Sequence, residues 1–410
     1  MPPELLTRRG SVRMANQRMK SPIAASRPKT SQTILLVLLF AGFVVTGIGT
    51  VIVGPILPTF ITRFALTDSQ ASVFFTVQFA CSVAGVLASS AVTSSRGYKL
   101  PLVLGYLIMG LGFAMLNAGS HAMALIGTAG FGLGYGLVVP GTNLSMAEAG
   151  GASLLNLGNF AWGAGAVACS PLIMLSLRRH FLTTFLDVCA AFCFALTIAF
   201  LFVRFAHAQP AATAAPESAS VPSVKTSGSL TAAIASLFFI YVGVETSLGG
   251  WSAAHAARLS HGTTNLATIV PMFFYGGIMT GRALAPWILK RVKEARLIFT
   301  ALTAIFFGAL IVVLATSQAI AILGFCIAGL GCATVYPNYI AWFSRWYGAR
   351  AKALSALMFS LASVGAAVVP RIVGAVSTLV GSLRIALTIP LAGTVVMICI
   401  LLALRRRMVF

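Results

Sequence analysis

Residues 132–140 read Gly-Leu-Gly-Tyr-Gly-Leu-Val-Val-Pro, and residues 329–337 read Gly-Leu-Gly-Cys-Ala-Thr-Val-Tyr-Pro. Both lie in long apolar runs, and the Gly-Leu-Gly and the proline recur with the same spacing, 197 residues apart (329 minus 132). A second pair follows. Gly165-Ala166 with Pro171 recurs as Gly365-Ala366 with Pro370, shifted by 200 and then 199. Gly, Ala and Pro are common in membrane helices, so one match carries little. Two matches in corresponding segments, at nearly one offset, indicate a duplicated chain.

The surrounding composition explains what was duplicated. The 410 residues are 58% hydrophobic and only 9% charged, against roughly a quarter charged in a soluble domain. A transmembrane helix takes about 20 apolar residues. Runs of that length fall at about 33–60, 71–93, 100–118, 122–147, 152–176, 182–204, 230–252, 264–288, 297–316, 319–341, 353–378 and 384–404. The predicted fold is therefore an all-α integral membrane protein, with twelve transmembrane helices in two six-helix pseudo-symmetric bundles. Its parts are a basic tail (1–32), an N-terminal bundle (33–204), a linker rich in Ala, Pro, Ser and Thr (205–229), a C-terminal bundle (230–404) and a short tail (405–410). The apolar run after the basic start is too long for a signal-peptide core and is read as a retained first helix.

The net charge of +21 does not describe a nucleic-acid groove, because the basic residues sit between the apolar runs. With the N-terminus placed in the cytoplasm, 21 of the 28 Lys and Arg fall on the inner side. That asymmetry is the positive-inside pattern and sets both termini in the cytoplasm of a multi-pass plasma (inner) membrane protein. The seven cysteines have no metal-ligand or redox spacing, and the five histidines fall in loops or segment ends. No cofactor, metal or nucleic acid is called for. The expected partners are the lipid bilayer and a small solute, with protons as the candidate coupling ion, and the expected state is a monomer.

Parallel six-helix repeats are the plan of alternating-access carriers, with the substrate site between the halves. The loop Ser94-Ser95-Arg96-Gly97-Tyr98-Lys99 is similar to the cytoplasmic signature of the major facilitator superfamily, and from segment 1 to segment 12 the chain resembles a transporter of that superfamily. The resemblance implies a gate loop at Ser94, Arg96, Gly97 and Lys99, although Ser94 stands where the superfamily's acid is expected. The glycine-rich segment 4 with Pro140 and Asn143, the run Asn156, Asn159, Trp162, Gly163 and Gly165, and Gly281-Arg282 resemble most the fucose permease-like sugar:proton symporter branch. That branch implies an acid in segment 1 and another at position 139, where this chain has none and Val139 respectively.

Of seven acids, Glu4, Asp68, Glu217 and Glu294 fall in tails or loops, and Glu148 and Asp187 at segment ends. Glu245 alone lies deep, about 21 Å from the inner start of segment 7 at 1.5 Å per residue. An intramembrane acid is costly and marks function unless it is structurally paired. By the same count Arg371 lies at about 27 Å and Arg282 much nearer the inner end, so Arg371 is the expected partner in proton or substrate coupling. A permanent ion pair is the structural alternative.

Gln78, Asn143, Asn156, Asn159, Trp162, Tyr241, Tyr275, Tyr336 and Asn338 supply amide and aromatic groups suited to a hydroxylated ring. For each of them interhelical hydrogen bonding is the plainer role. Trp251, Trp287 and Trp346 fall near segment ends and are read as interfacial anchors. Gly130 with Gly134, Gly277 with Gly281, and Gly365 are expected at close helix crossings. Secondary active transport of a sugar-like solute leads. Proton-driven efflux of drugs or metabolites is the alternative, and a membrane enzyme lacks a convergent catalytic set.

Overall fold

The computed structural model describes residues 29–117, 119–203, 228–260, 264–348 and 351–404. The expected basic tail up to residue 28, nearly all of the linker (204–227) and the tail 405–410 lie outside the described residues. Among the described residues there are helices and no strand. In lipid every backbone polar group must be satisfied within the chain, and apolar helices do this segment by segment.

The N-terminal half comprises α1 (Lys29–Val51), α2 (Val53–Arg63), α3 (Asp68–Arg96), α4 (Lys99–Asn117), α5 (His121–Arg178) and α6 (Leu182–Phe202). The C-terminal half comprises α7 (Gly228–Leu259), α8 (Thr264–Ala267), α9 (Val270–Ile288), α10 (Glu294–Leu314), α11 (Gln318–Tyr347), α12 (Ala351–Val380), α13 (Leu383–Ala386) and α14 (Thr388–Leu404). Helix α5 holds two spans, His121–Ala149 and Leu154–Arg178. Gly158 lies against the Met146 thioether, and residues twelve apart on one straight helix would be about 18 Å apart. The chain therefore folds back between the two spans.

Among the described residues, eleven helical spans are long and apolar enough to cross a membrane. The twelfth position is filled by α9, whose Arg282, Tyr275 and three glycines lower its apolar character, and which packs on α11, α7 and α5. Its polarity is the first sign that one of its faces turns away from lipid.

The repeat is a packing repeat. A Cβ at Gly132 would overlap the backbone carbonyl of Gln78 on α3, and one at Gly329 would overlap that of Phe274 on α9. A Cβ at Gly165 would overlap the Val44 carbonyl, and one at Gly365 the Phe239 carbonyl. Only glycine lets the backbones approach this closely, and van der Waals contact is what holds helices together in lipid. The helix starts repeat too. Ser120 Oγ accepts from Met123 N at 3.2 Å and Ser317 Oγ from Ile320 N at 3.4 Å, N-caps again 197 residues apart (317 minus 120).

The remaining expected packing glycines are also at contacts. Gly130 and Gly134 face α4, where a Cβ would lie 3.3 Å from the Ile108 carbonyl and 2.6 Å from the Gly105 carbonyl. Gly277 and Gly281 face α11, at 2.7 Å from the Cys326 carbonyl and 2.5 Å from the Ala333 methyl. Trp251 is a correction. It is fully buried and its Nε1 donates to the Pro370 carbonyl at 3.2 Å, because α7 runs two turns past the expected end of its segment and leaves Trp251 well inside the bundle.

Candidate functional site

Glu245 lies past the midpoint of α7, one helical turn after Tyr241. Its side chain is half-buried, so part of its surface stays open. The Tyr241 hydroxyl, one turn before it, donates to the Cys332 carbonyl on α11 at 2.7 Å. The Tyr336 ring stacks on Tyr241 at 6.1 Å. Tyr275 on α9 brings its hydroxyl to Gly249, one turn above Glu245, where a Cβ would lie 2.6 Å away.

The cation whose charge acts on Glu245 is Arg282. Arg371, the expected partner, lies elsewhere. Its Nη1 donates to the Ser69 carbonyl, to Ser69 Oγ at 2.8 Å and to Ser72 Oγ at 2.9 Å. The reason is geometric: residue counts along a helix place Cα atoms, whereas helix side chains lean toward the helix N-terminus. Helix α9 enters from the face opposite to that of α7, so a long Arg282 side chain leans back toward the middle of the bundle.

A further residue joins this group without having been expected. Tyr135 on α5 feels the charges of both Glu245 and Arg282, and Tyr336 feels Tyr135, Glu245 and Arg282. The N-terminal half thus contributes a phenol to a charged centre built by the C-terminal half. Tyr135 stands in the very run that discloses the repeat, between two packing glycines, and its departure from Cys332 in the other copy was the available signal.

The other expected cavity residues divide. Gln78 Nε2 donates to the Thr50 carbonyl at 2.9 Å, while its Oε1 is buried without a partner. Trp162 Nε1 reaches Thr50 Oγ1 at 3.4 Å, so these two residues meet at one point on α1. Asn143 Oδ1 is buried and unpartnered. Asn159 donates to the Leu155 carbonyl at 2.9 Å and Asn338 to the Thr334 carbonyl at 2.7 Å, each on its own helix. Asn156 is exposed.

A second polar cluster joins the halves at the face that carries the α2–α3 turn. Thr67 caps α3 in a reciprocal box with Gln70, which makes Asp68 the first residue of the helix and not a loop acid; the Thr-x-x-Gln spacing was the local sign of it. Asp68, 8% exposed, accepts from Arg258 Nη2 on α7 at 2.5 Å and from Ser377 Oγ on α12. Ser69 N donates to Thr378 Oγ1 at 2.8 Å, and Thr76 Oγ1 to the Ala367 carbonyl at 3.0 Å. With Arg371, these bonds tie the start of α3 to α7 and α12.

At the opposite face three bonds between described residues each stay within one half. The Tyr98 hydroxyl donates to Glu148 Oε1 at 2.6 Å, Lys99 Nζ to the Leu201 carbonyl at 2.6 Å, and Arg345 Nη1 to Glu294 Oε1 at 3.1 Å. Burial, helped by the Glu148 carboxylate, pushes the Tyr98 phenol up to about 12. Of the expected gate loop, Gly97 ends α3 with φ 71°, a conformation that favours glycine. Lys99 holds the end of α6, Arg96 is exposed, and Ser94 lies in the last turn of α3.

The sequence model of the Major Facilitator Superfamily matches residues 39–370. No curated protein matches the sequence. Among solved structures, that of the nucleoside transporter NupG superposes with a TM-score of 0.71 at 13% identity, covering 93% of this chain and 99% of that one. The E. coli fucose:proton symporter FucP superposes with a TM-score of 0.58 at 18% identity, covering 90% and 98%. A bacterial homologue of the human lysosomal transporter Spinster, in an inward-facing, unoccupied conformation, gives a TM-score of 0.68 at 14% identity, covering 92% and 98%.

Proposed function

This chain belongs to the Major Facilitator Superfamily, and from that premise we propose that it carries a small, polar, sugar-like solute across the plasma membrane by alternating access, with Glu245 holding the coupling proton. The observation that carries this reading is the one-sided latch. Asp68 and Ser69 are bonded across to Arg258, Ser377, Thr378 and Arg371, while Tyr98 with Glu148 and Arg345 with Glu294 bond within their own halves. A carrier closed on one face and free to open on the other is one of the two end states that alternating access requires.

With both termini in the cytoplasm, the latched face is external. The rocking bodies are then 33–204 and 230–404, joined by the 205–229 linker, and the chain works as a monomer without a nucleic-acid partner. Glu245, in mid-bundle between Tyr241, Tyr135 and Arg282, sits where a carboxyl can exchange a proton as access alternates. The amides of Gln78 and Asn143, each with a buried oxygen to spare, and the tyrosine faces suit a hydroxylated solute. Two fold relatives, a nucleoside transporter and a fucose:proton symporter, support the same class.

Proteoliposomes with an imposed inward proton gradient test the proposal. Saturable, gradient-driven accumulation of a hydroxylated solute is expected. Gradient-driven extrusion of dyes without such uptake would assign the chain to efflux, and flux without saturation would remove the carrier mechanism.

A further inference from the structure

Arg282 is the intramembrane charge that proton coupling alone does not use. Helix α9 seats on α11 through Gly277 and Gly281. At 3.6 residues per turn, Tyr275, Met279 and Arg282 share roughly the opposite side of the helix. Contacts from that side run to other helices: Tyr275 to Gly249 of α7, and Met279 to Gly163 of α5, in the other half. Arg282 therefore belongs to the face turned toward the junction of the two halves, together with Glu245 and Tyr135.

The side chain of Glu245 is half-buried, and Arg282 is the cation whose charge acts on it. Arg282 Nε is buried with no hydrogen-bond partner, and among the described residues the ion pairs are Asp68 with Arg258 and Glu294 with Arg345. The group with unspent capacity is the cation, whose planar fork matches a carboxylate. Charge balance points the same way. With Glu245 ionised the two charges cancel; with Glu245 protonated, Arg282 is left uncompensated in a half-buried site, which is costly until an anion arrives.

Resting on the proton-coupled carrier role, we infer that the solute is a small hydroxylated monocarboxylate, seated by its carboxylate on Arg282 with its hydroxylated chain against Tyr135, Tyr275 and Tyr336, and moved together with one proton on Glu245. One anion and one proton crossing together make transport electroneutral. Neutral sugars would leave Arg282 without its partner and bind more weakly.

The test compares labelled D-gluconate and D-glucuronate with D-glucose and L-fucose in proteoliposomes of the full chain, with the pH gradient and the membrane potential set independently. The expected result is that an acid sugar is accumulated with the pH gradient, at a rate unchanged by the potential, and that the neutral sugars are not. Arg282→Gln is expected to weaken apparent affinity for the acid by about 10–150-fold, the loss of hydrogen bonds to a charged group. Arg282→Lys, which keeps the charge and loses the fork, is expected to fall between the two, and a melting curve like that of the wild type shows that each variant is folded. Proton-driven accumulation of a neutral sugar with no acid uptake overturns the anion while leaving the carrier role in place. Acid uptake that accelerates with membrane potential, or that Arg282→Gln leaves unchanged, also overturns it. Failure of all four solutes to show either accumulation or counterflow removes the carrier role together with the inference.

Discussion

Asp68→Ala should release the latch, and the structure sets the size of the effect. The carboxylate is 8% exposed and takes Arg258, whose side chain is 42% exposed, and the hydroxyl of Ser377, which is 2% exposed. The partly exposed ion pair contributes about 0.2–1 kcal/mol. The Ser377 bond to a charged acceptor contributes about 1.5–3 kcal/mol, since removing its partner strands a buried hydroxyl. Arg258 can turn to solvent and adds little. A loss of about 2–3 kcal/mol multiplies the population with this face open by roughly 30–150. The Ser69 amide offers a direct probe, because its acceptor is Thr378 Oγ1 in the other half. Helix-initial amides have no partner within their own helix. Its hydrogen exchange, followed by mass spectrometry in nanodiscs, should therefore accelerate by about the same factor, while amides in the middle of α3 stay protected. Unchanged exchange at Ser69, with a lowered melting temperature, would mean that Asp68 serves packing and not the closure of this face.

Glu245→Gln should abolish gradient-driven accumulation and leave counterflow exchange intact, since the amide fills the same space but cannot carry the proton; full accumulation by the variant would make the carboxyl structural. Gly132→Val and Gly329→Val both force a branched side chain into a neighbouring carbonyl, so each should cost upward of about 1–3 kcal/mol and reduce monodisperse yield in size-exclusion chromatography to a similar degree. Gly97→Ala meets open space but keeps φ at 71°, and should lower the melting temperature only by the strain of about 1–2 kcal/mol. The raised Tyr98 phenol means that the folded chain holds this proton above pH 10 while the unfolded chain releases it. Stability should therefore fall as pH rises from 10 toward 12, and Tyr98→Phe, followed by thermal melts across that range, should flatten the slope.

The helices were legible because hydropathy and the bilayer thickness decide them segment by segment. Glu245 was legible for a related reason: one acid in an apolar span stands out in a one-dimensional pattern. Its cation did not, since the distance from Glu245 to Arg282 depends on how α9 is seated and on which way a long side chain leans. The bond between Asp68 and Arg258 joins residues 190 apart in the chain, and no local pattern encodes it. The capping box at Thr67 was nevertheless in plain view and would have moved Asp68 from a loop to the start of a helix. Trp251 was misread because the end of α7 was set two turns short.

The repeat builds the scaffold, and the charged centre sits where the repeat breaks. The packing glycines Gly132 and Gly329, and Gly165 and Gly365, occupy the same crossings in both halves. The charged centre does not repeat. At the 196-residue offset that pairs Gly243 with Gly47, Glu245 corresponds to Gly49, and a Cβ at Gly49 would overlap the ring of Phe131. That position in the N-terminal half has no room for an acid. Arg282 corresponds to Val86 and Tyr336 to Val139 under the offsets of their own segments, and Tyr135 to Cys332. The C-terminal half thus brings an acid, a cation and three tyrosines, the N-terminal half one phenol and the unpaired amide oxygens of Gln78 and Asn143. Under the proposed mechanism, confining both charges to one half would place them on a single moving body, so that rocking would change what faces them and leave their distance from each other unaltered.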